Sequence, residues 1–192
     1  MRLILASRNP HKAREFATLL APHEVLPLPE DVELPPETGE TFADNALLKA
    51  RAAAVATGSV VIADDSGIES EALGGAPGVR SARFAGEDAT DAENLAKLAR
   101  EAPAGSALAY VCVIALVDGA GGAEELFEGR CTGVMADEPR GDGGFGYDPA
   151  FVPDDANPSP PVRTMAELAP EEKDAISHRG RAARALLARL EG

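Results

Sequence analysis

Two adjacent aspartates, Asp64 and Asp65, follow a short apolar run at residues 60–63. The run is rich in β-branched residues and is flanked by Gly58 and Gly67, so it predicts a buried strand that ends at the aspartates. Ligands of open α/β sheets bind beyond the carboxyl ends of strands, and two carboxylates that lose hydration there favour a hard cation. The pair therefore predicts a magnesium site. The alternative is an ordinary turn, because Asp, Ser and Gly are common turn residues.

A second candidate is the segment 7–12, Ser-Arg-Asn-Pro-His-Lys, which joins a predicted first strand at residues 2–6 to a helix. Asn9 is placed as the N-cap and Pro10 as the first helical residue. Backbone N–H groups and the helix dipole favour an anion at such a terminus, and Lys12 adds positive charge in the first turn. The Walker pattern is missing. The segment predicts phosphate binding; the alternative is a capped helix with an exposed lysine.

The next predicted helix, residues 41–57, begins at Thr41, with Asp44 placed to return a capping contact, and stops at Gly58. Thr41, Asn45 and Lys49 lie at i, i+4 and i+8, so these side chains share one face. Glu37 lies just before the helix and can supply a further carboxylate to a metal held by Asp65. The alternative is a solvent-exposed polar stripe.

Two segments of the second half of the chain combine rings, glycines and cations. Residues 144–149 read Gly-Phe-Gly-Tyr-Asp-Pro, where glycines allow close backbone approach and a ring can stack on a base. Residues 177–180 read Ser-His-Arg-Gly and follow Lys173, so donors gather near a helix start and suit an anion or a purine edge. The alternatives are a tight turn with core aromatics and an exposed basic helix start, which opposes the helix dipole.

These residues require a scaffold of alternating elements. The pattern predicts a strand at 25–28, a helix at 91–99, and strands at 107–117 and 124–132 that pair as a hairpin. Proline-rich loops are predicted at 27–39 and 153–161, and Thr164 with Glu167 has the capping-box pattern. The last helix buries a face spaced i, i+3, i+4 and i+7, made of Ala183, Leu186, Leu187 and Leu190. The predicted fold class is α/β with a mixed sheet.

Composition limits the classes of function. The 192 residues fit a single domain, and 45% of them are hydrophobic. The net charge of -14 excludes a general nucleic-acid binder, and an anionic substrate would need locally gathered positive charge. There is no apolar run long enough for a membrane span, and the first apolar stretch is too short for a signal peptide. Only two cysteines are present, without metal-type spacing, so we expect a reduced, cytoplasmic protein.

Together these segments supply what Mg²⁺-dependent cleavage of a nucleoside triphosphate needs: an anion cradle, carboxylates, a lysine-bearing face and a stacking loop. On these motifs, and on Gly-Gly-Ala-Pro-Gly-Val-Arg-Ser-Ala-Arg-Phe-Ala-Gly from Gly74, the chain resembles the inosine triphosphate pyrophosphatase family. The resemblance runs from Leu3 to the last helix. It implies an elongated mixed β-sheet flanked by helices that form two lobes around a central cleft, with residues 1–192 as one catalytic domain.

The resemblance also implies roles for matching positions. Asp65 looks like the acceptor of a proton from the attacking water and a magnesium ligand, Glu37 like a second metal ligand, and Asp64 and Asn45 like supporting residues. The substrate-binding residues that it implies are Ser7, Arg8, Asn9, Pro10, His11, Lys12, Lys49, Ser66, Phe145, Gly146, Tyr147, Asp148, Lys173, His178 and Arg179. The implied reaction converts dITP, ITP or XTP to the monophosphate and pyrophosphate with Mg²⁺. The implied assembly is a homodimer, with no nucleic-acid or membrane partner.

One position departs from the family pattern, because Arg8 stands where glycine is frequent. An arginine there is strained if the position needs positive φ, and otherwise it can add a phosphate contact. Three other functions stay open: a Maf-type nucleotide pyrophosphatase, a phosphatase with an aspartyl nucleophile, and a nucleotide sensor that does not hydrolyse. A 6-oxo purine can accept a hydrogen bond from Lys173 or Arg179 where adenine presents a donor, but this contact does not explain rejection of guanine.

Overall fold

The computed structural model describes residues 1–119, 121–156 and 161–192. Six strands form one sheet in the order β2-β1-β3-β4-β5-β6. The strands are β1 (Arg2–Leu5), β2 (Glu24–Pro27), β3 (Val60–Ser70), β4 (Ala107–Asp118), β5 (Glu124–Met135) and β6 (Phe151–Pro153). β1 pairs in parallel with β2 and β3, whereas β5 and β6 are antiparallel. The predicted α/β class with a mixed sheet is therefore confirmed.

The α-helices lie between the strands in the sequence and after the last strand. They are α1 (Pro10–Leu19), α2 (Phe42–Thr57), α3 (Asp91–Glu101), α4 (Pro170–Ile176) and α5 (His178–Glu191). Short 3-10 turns cover Glu71–Leu73, Gly78–Arg83, Asp148–Ala150, Asp154–Ala156 and Met165–Glu167. In the described ranges, no helix combines the length and the hydropathy that crossing a membrane requires.

Capping residues set the ends of the helices that carry candidate site residues. The side chain of Asn9 accepts hydrogen bonds from the backbone N–H groups of His11 and Lys12, and Pro10 opens α1. Thr41 and Asp44 form the predicted capping box of α2. This helix ends at Gly58, which has a left-handed φ of 63°. The predicted helix starts and the α2 stop are thus confirmed.

Two compact units divide the chain. Unit 1 comprises Met1–Asp65, Cys112–Gly129 and Arg181–Gly192, and unit 2 comprises Ser66–Val111 and Arg130–Gly180. The core of unit 1 has one cluster around Phe16 and Ile62 and another formed by alanines of α2 against Val61 and Ala63. The core of unit 2 includes Tyr110, Met135, Phe151 and Met165.

The predicted end of β3 is wrong. The strand continues from Asp65 through Ser66 and Gly67 to Ser70, so the two aspartates lie inside a strand of 11 residues. β3 has a neighbour on each side, β1 and β4, and ladder pairing overrides the local turn preference of Asp-Asp-Ser-Gly. The 3-10 turns Glu71–Leu73 and Gly78–Arg83 follow this longer strand.

Three other boundaries differ or lie partly outside the described residues. The capping box at Thr164 is present, but it begins a 3-10 turn. The proline-rich loop predicted at 153–161 contains the end of β6 and a 3-10 turn, and its residues 157–160 lie outside the described ranges. The hairpin loop after β4 includes Ala120, which is also outside them. The backbone N–H of Asp118 donates to the carbonyl of Ala123 over 3.1 Å, as a hairpin requires.

Candidate active site

Unit 1 contains a group that we call the carboxylate–lysine cluster: Lys12, Glu37, Asn45, Lys49, Asp64 and Asp65. Its last four members are buried. Its centre is the ammonium of Lys49, which donates to the carboxylate of Glu37 and to the backbone carbonyl of Asp64, the latter over 2.8 Å. The nearer carboxylate oxygen of Asp65 lies 3.9 Å from the same nitrogen. A single cation of α2 therefore holds acidic groups from the preceding loop and from β3.

The amide of Asn45 orients the carboxylate of Asp65. Its Nδ2 donates to Oδ2 of Asp65 over 2.9 Å, and its Oδ1 accepts the backbone N–H of Gly39 over 2.7 Å. Both ends of the amide are thus defined by their partners. A Cβ at Gly39 would lie 2.6 Å from the Cβ of Asp44 and 2.7 Å from Oδ1 of Asn45, so the contact requires glycine.

Asp64 faces a different cation. Lys12, in the first turn of α1, places its Nζ 3.0 Å from Oδ2 of Asp64. The thiol of Cys112 in β4 lies 3.9 Å from the same oxygen. The two adjacent aspartates are therefore divided between two lysines, which reduces their mutual repulsion.

The electrostatics of the cluster follow from its burial. Burial raises the pKa of Asp65, and the negative charge of Glu37 raises it further. The positive charge of Lys49 and the hydrogen bond from Asn45 lower this pKa, but they do not cancel the rise. Burial alone would lower the pKa of Lys49, but the charges of Asp64, Asp65 and Glu37 outweigh it and the pKa is raised. The ammonium is therefore firmly charged. At 3.9 Å it offsets only part of the desolvation of Asp65.

The donor set fits a hard divalent cation. Glu37 and Asp65 converge on Lys49, so two carboxylates already share one cationic partner. Proteins commonly hold Mg²⁺ through one or two carboxylates together with substrate phosphates. Within residues 1–119, 121–156 and 161–192, no group of three or more His, Cys, Asp or Glu side chains is arranged to hold a metal ion. The residues present thus suit a metal that takes its other ligands from phosphate and water.

The segment 7–12 forms the N-terminus of α1 as expected. The hydroxyl of Ser7 accepts the backbone N–H of Asn9 over 3.2 Å. Arg8 does not adopt a positive φ, so the arginine is not strained there. Its guanidinium donates to the carbonyls of Leu28 and Pro29 over 2.7 and 2.6 Å. Arg8 thereby holds the loop that follows β2, and its contact with phosphate stays a prediction.

Unit 2 contains a second group that we call the aromatic–cation cluster, made of Ser66, Tyr110, Phe145, Asp148, Lys173, His178 and Arg179. Lys173 donates to Oδ2 of Asp148 over 2.9 Å, and its ammonium lies 5.0 Å from the centroid of the Phe145 ring. Arg179 donates to the hydroxyl of Ser66 over 2.9 Å, and its guanidinium carbon lies 5.8 Å from the same centroid. One aromatic ring thus has two cations within reach of its face or edge.

Glycines allow this second cluster to form. Gly144 has a φ of 70°, and a Cβ there would lie 2.0 Å from Oδ2 of Asp148. The loop can therefore turn tightly enough for the backbone N–H of Phe145 to donate to that oxygen over 3.0 Å. At the start of α5, a Cβ on Gly180 would lie 2.0 Å from the carbonyl of Asp174 in α4. Close approach of α4 and α5 brings their basic residues together.

Lys173, His178 and Arg179 are buried, with exposures of 8, 6 and 2%. The alternative of an exposed basic helix start is therefore wrong, and so is that of an exposed polar stripe on α2, because Asn45 and Lys49 are also buried. Two other predicted residues interact elsewhere: His11 contacts Arg14, and the backbone N–H of Gly146 donates to Asp91.

Sequence reasoning missed one residue of the aromatic–cation cluster and one residue that contacts the carboxylate–lysine cluster. Tyr110 lies in the apolar run of β4, and its ring stacks on the His178 ring of the aromatic–cation cluster. Cys112 lies two residues further along the same strand and contacts Asp64. The available signal was weak: each is a polarisable or hydroxyl-bearing residue in a run that otherwise contains aliphatic residues.

The fold and its two clusters define an α/β protein that carries the groups phosphoryl transfer needs. A family model described as the Ham1 family matches residues 3–189. A protein of Mycobacterium tuberculosis named dITP/XTP pyrophosphatase is 49% identical over 98% of this chain and 95% of its own length. A protein of the same name from Symbiobacterium thermophilum is 50% identical over 98% of this chain and 94% of its own length.

Solved structures give the same relationship. A Ham1 protein from Coxiella burnetii has a TM-score of 0.88 and 42% identity, and covers 100% of this chain and 98% of its own. The Staphylococcus aureus Ham1 protein has a TM-score of 0.85 and 39% identity, and the match covers 100% of this chain and 99% of that protein's chain. The chain belongs to the Ham1 family, which confirms the resemblance found in its motifs.

Proposed function

We propose that this protein is a hydrolase that converts non-standard purine nucleoside triphosphates, such as dITP, ITP and XTP, to the monophosphate and pyrophosphate. Two kinds of support meet here. Relatives that are about half identical over nearly the full chain are named dITP/XTP pyrophosphatase. The carboxylate–lysine cluster also supplies the charges and the base that hydrolysis of a phosphoanhydride requires. The convergence of Glu37 and Asp65 on Lys49 is the observation that carries the proposal.

The triphosphate is proposed to bind to unit 1. Lys12 and Lys49 bring positive charge into a chain whose net charge is -14. The N-terminus of α1 adds backbone donors and the positive end of a helix dipole, with Ser7 and Asn9 beside it. These groups neutralise charge that increases on the phosphates as the α–β bond breaks.

Asp65 is proposed to accept the proton of the attacking water. Its burial raises its pKa, so the carboxylate is a stronger base than an exposed aspartate. Asn45 fixes the orientation of the carboxyl group through Oδ2. Lys49 keeps a positive charge nearby, which favours the ionised form that can act as a base.

Glu37 and Asp65 are the residues that would hold Mg²⁺. When bound there, the ion would neutralise phosphate oxygens and help to orient them. Lys49 would then share its two carboxylate partners with the ion. Asp64 remains with Lys12 and supports the cluster from the other side.

The purine is proposed to bind at the aromatic–cation cluster. The ring of Phe145 can stack on a flat base, with Gly146, Tyr147 and Asp148 in the same loop. An ammonium carries three N–H donors and a guanidinium five, so Lys173 and Arg179 can each serve more than one acceptor. A 6-oxo group accepts such a donor, whereas the 6-amino group of adenine opposes it, which favours hypoxanthine and xanthine.

The remaining functional assignments are also proposals. Residues 1–192 would act as one catalytic domain, as a homodimer in the cytoplasm and without a nucleic-acid or membrane partner. Cys112 and Cys131 are buried and form no disulfide, which agrees with a reducing compartment. A homodimer is tested directly by sedimentation equilibrium.

The experiment that tests the proposed function is a turnover comparison with Mg²⁺. We expect kcat/KM for dITP and XTP to exceed the values for dATP, dGTP and dTTP, and to exceed that for dATP by at least about 100-fold, the range that hydrogen-bond recognition of a 6-oxo group can provide. Activity should disappear when EDTA removes the metal and return when Mg²⁺ is restored. Equal turnover of all five nucleotides would contradict the substrate class, and tight binding of dITP without turnover would identify a sensor.

A further inference from the structure

We propose that Tyr110 is a positioning residue for purine recognition, because its ring fixes the plane of the His178 ring. The inference rests on the proposed function and extends it to a residue of β4. Tyr110 is 7% exposed and belongs to the core of unit 2.

The ring of Tyr110 fixes the plane of His178. The two ring centroids are 4.6 Å apart, and the planes differ by only 7°. The ring of Phe151 contacts Tyr110 edge-on, with centroids 4.9 Å apart and planes 60° apart. Stacked and edge-on contacts of this kind restrict a ring more than aliphatic packing does. The imidazole of His178 is therefore held in one plane at the start of α5.

The hydroxyl of Tyr110 stays protonated, because burial raises its pKa well above the usual value and the charge of Asp148 raises the pKa further. The ring that stacks on His178 is therefore uncharged.

The stack connects His178 to the sheet. His178 begins α5, whereas Tyr110 belongs to β4, a central strand. Rigid elements place functional groups more accurately than loops do. Tyr110 thus anchors a predicted substrate-binding residue to the sheet.

The test separates the hydroxyl from the ring. Tyr110→Phe deletes only the hydroxyl, and Tyr110→Leu also removes the stack on His178. Thr164→Val is the matched control, because it deletes another buried hydroxyl of unit 2, which donates to the carbonyl of Arg140 over 2.7 Å. Titration calorimetry measures the affinity of each variant for dIMP and for pyrophosphate, and thermal unfolding measures stability.

We expect Tyr110→Leu to weaken dIMP binding about three- to tenfold while pyrophosphate binding changes less than about twofold, the size of effect expected from loss of one stacked aromatic pair. For dITP hydrolysis by this variant, KM should rise with kcat nearly constant. Tyr110→Phe keeps the ring and should bind dIMP as the unsubstituted protein does. Thr164→Val should lower the melting temperature without changing either affinity. Unchanged dIMP affinity in Tyr110→Leu, or equal losses for dIMP and pyrophosphate, would overturn the inference.

A spectroscopic measurement tests the stack independently of ligands. The chain has three histidines, so substitution of His178 identifies its imidazole signals by their disappearance. Ring-current shifts from Tyr110 should persist in Tyr110→Phe and disappear in Tyr110→Leu. Unchanged His178 signals in Tyr110→Leu would contradict the stack. Binding of dIMP without turnover of dITP would remove only the proposed function, whereas absence of dIMP binding by the unsubstituted protein would overturn both.

Discussion

Asn45 donates a hydrogen bond to Asp65 over 2.9 Å, and the opposite end of the same amide accepts the N–H of Gly39 over 2.7 Å. The proposed base therefore takes its orientation from α2 and from the loop before it. Asn45 is fully buried, so water does not compete for the two hydrogen bonds of its amide.

Asn45→Ala should reduce kcat by about tenfold to 100-fold, because a small misplacement of a reacting group has effects of this size. Steady-state kinetics with dITP measures the loss. Asn94→Ala is the matched control, since Asn94 is also a buried asparagine in a helix and bonds to the backbone of residues 82 and 85. It should lower stability but leave kcat unchanged. Equal kcat losses in both variants would assign Asn45 a structural role only.

Asp65→Asn should lower kcat at least about 100-fold, the usual contribution of a general base, while the protein remains folded. Because the pKa of Asp65 is raised in the folded state, its ionised form costs stability at neutral pH. The substituted protein should therefore melt at an equal or higher temperature at pH 7, and this advantage should shrink as the pH falls through that raised pKa.

Kinetics and differential scanning calorimetry at several pH values measure both effects of Asp65→Asn. Asp118→Asn, at the exposed end of β4, is the control and should change neither kcat nor the melting temperature. A substituted enzyme that retained nearly its full rate would remove Asp65 as the base.

Lys49→Met should destabilise the protein by about 3 kcal/mol, because the buried carboxylate of Asp65 and the half-buried one of Glu37 lose the cation that they share. Added Mg²⁺ should recover part of this loss by taking the place of the ammonium charge. Thermal unfolding with Mg²⁺ and with EDTA measures the difference. Arg51→Met, which breaks an exposed ion pair of the same helix, should lose less stability than Lys49→Met. Mg²⁺ should stabilise Arg51→Met no more than it stabilises the unsubstituted protein. An identical metal effect in Lys49→Met and Arg51→Met would argue against metal binding at this cluster.

Lys173→Ala should weaken dITP binding by about tenfold while pyrophosphate binding changes little, because Lys173 is proposed to face the base. Titration in an Asp65→Asn background avoids substrate consumption. Arg163→Ala, which removes the exposed ion pair with Glu172 beside α4, is the control and should leave both affinities unchanged. Equal weakening of dITP and pyrophosphate would instead place Lys173 on the phosphates.

Arg8→Ala should lower stability by about 1 kcal/mol and increase hydrogen exchange at residues 28–32, whose carbonyls accept its guanidinium. Pyrophosphate affinity should stay within about twofold of the original. Arg14→Ala, a further exposed arginine of the same region, should change neither quantity. A loss of pyrophosphate affinity without a loss of stability would show that Arg8 contacts phosphate.

Local signals in the sequence predicted the helix ends well. The cap at Asn9, the box of Thr41 with Asp44 and the stop at Gly58 depend on hydrogen bonds within a few residues, and each is present. The spacing of Asn45 and Lys49 placed them on one face of α2. The sequence could not tell that this face is buried, since that depends on β3 and on the loop carrying Glu37.

Contacts between distant residues could not be predicted in the same way. Arg8 meets carbonyls more than 20 residues away, and Tyr110 meets a histidine near the other end of the chain. The length of β3 was misjudged for a related reason, because its extension past Asp65 depends on neighbouring strands. Tyr110 was not recognised because its strand is otherwise apolar and no spacing pattern links it to His178.

Phosphorus NMR of the products formed from dITP with Mg²⁺ tests the central claim most directly. The account predicts that dIMP and pyrophosphate appear together in equal amounts, and that Asp65→Asn produces neither at a comparable rate. Orthophosphate with dIDP as the products, or the same product signals at an unchanged rate from Asp65→Asn, would contradict it.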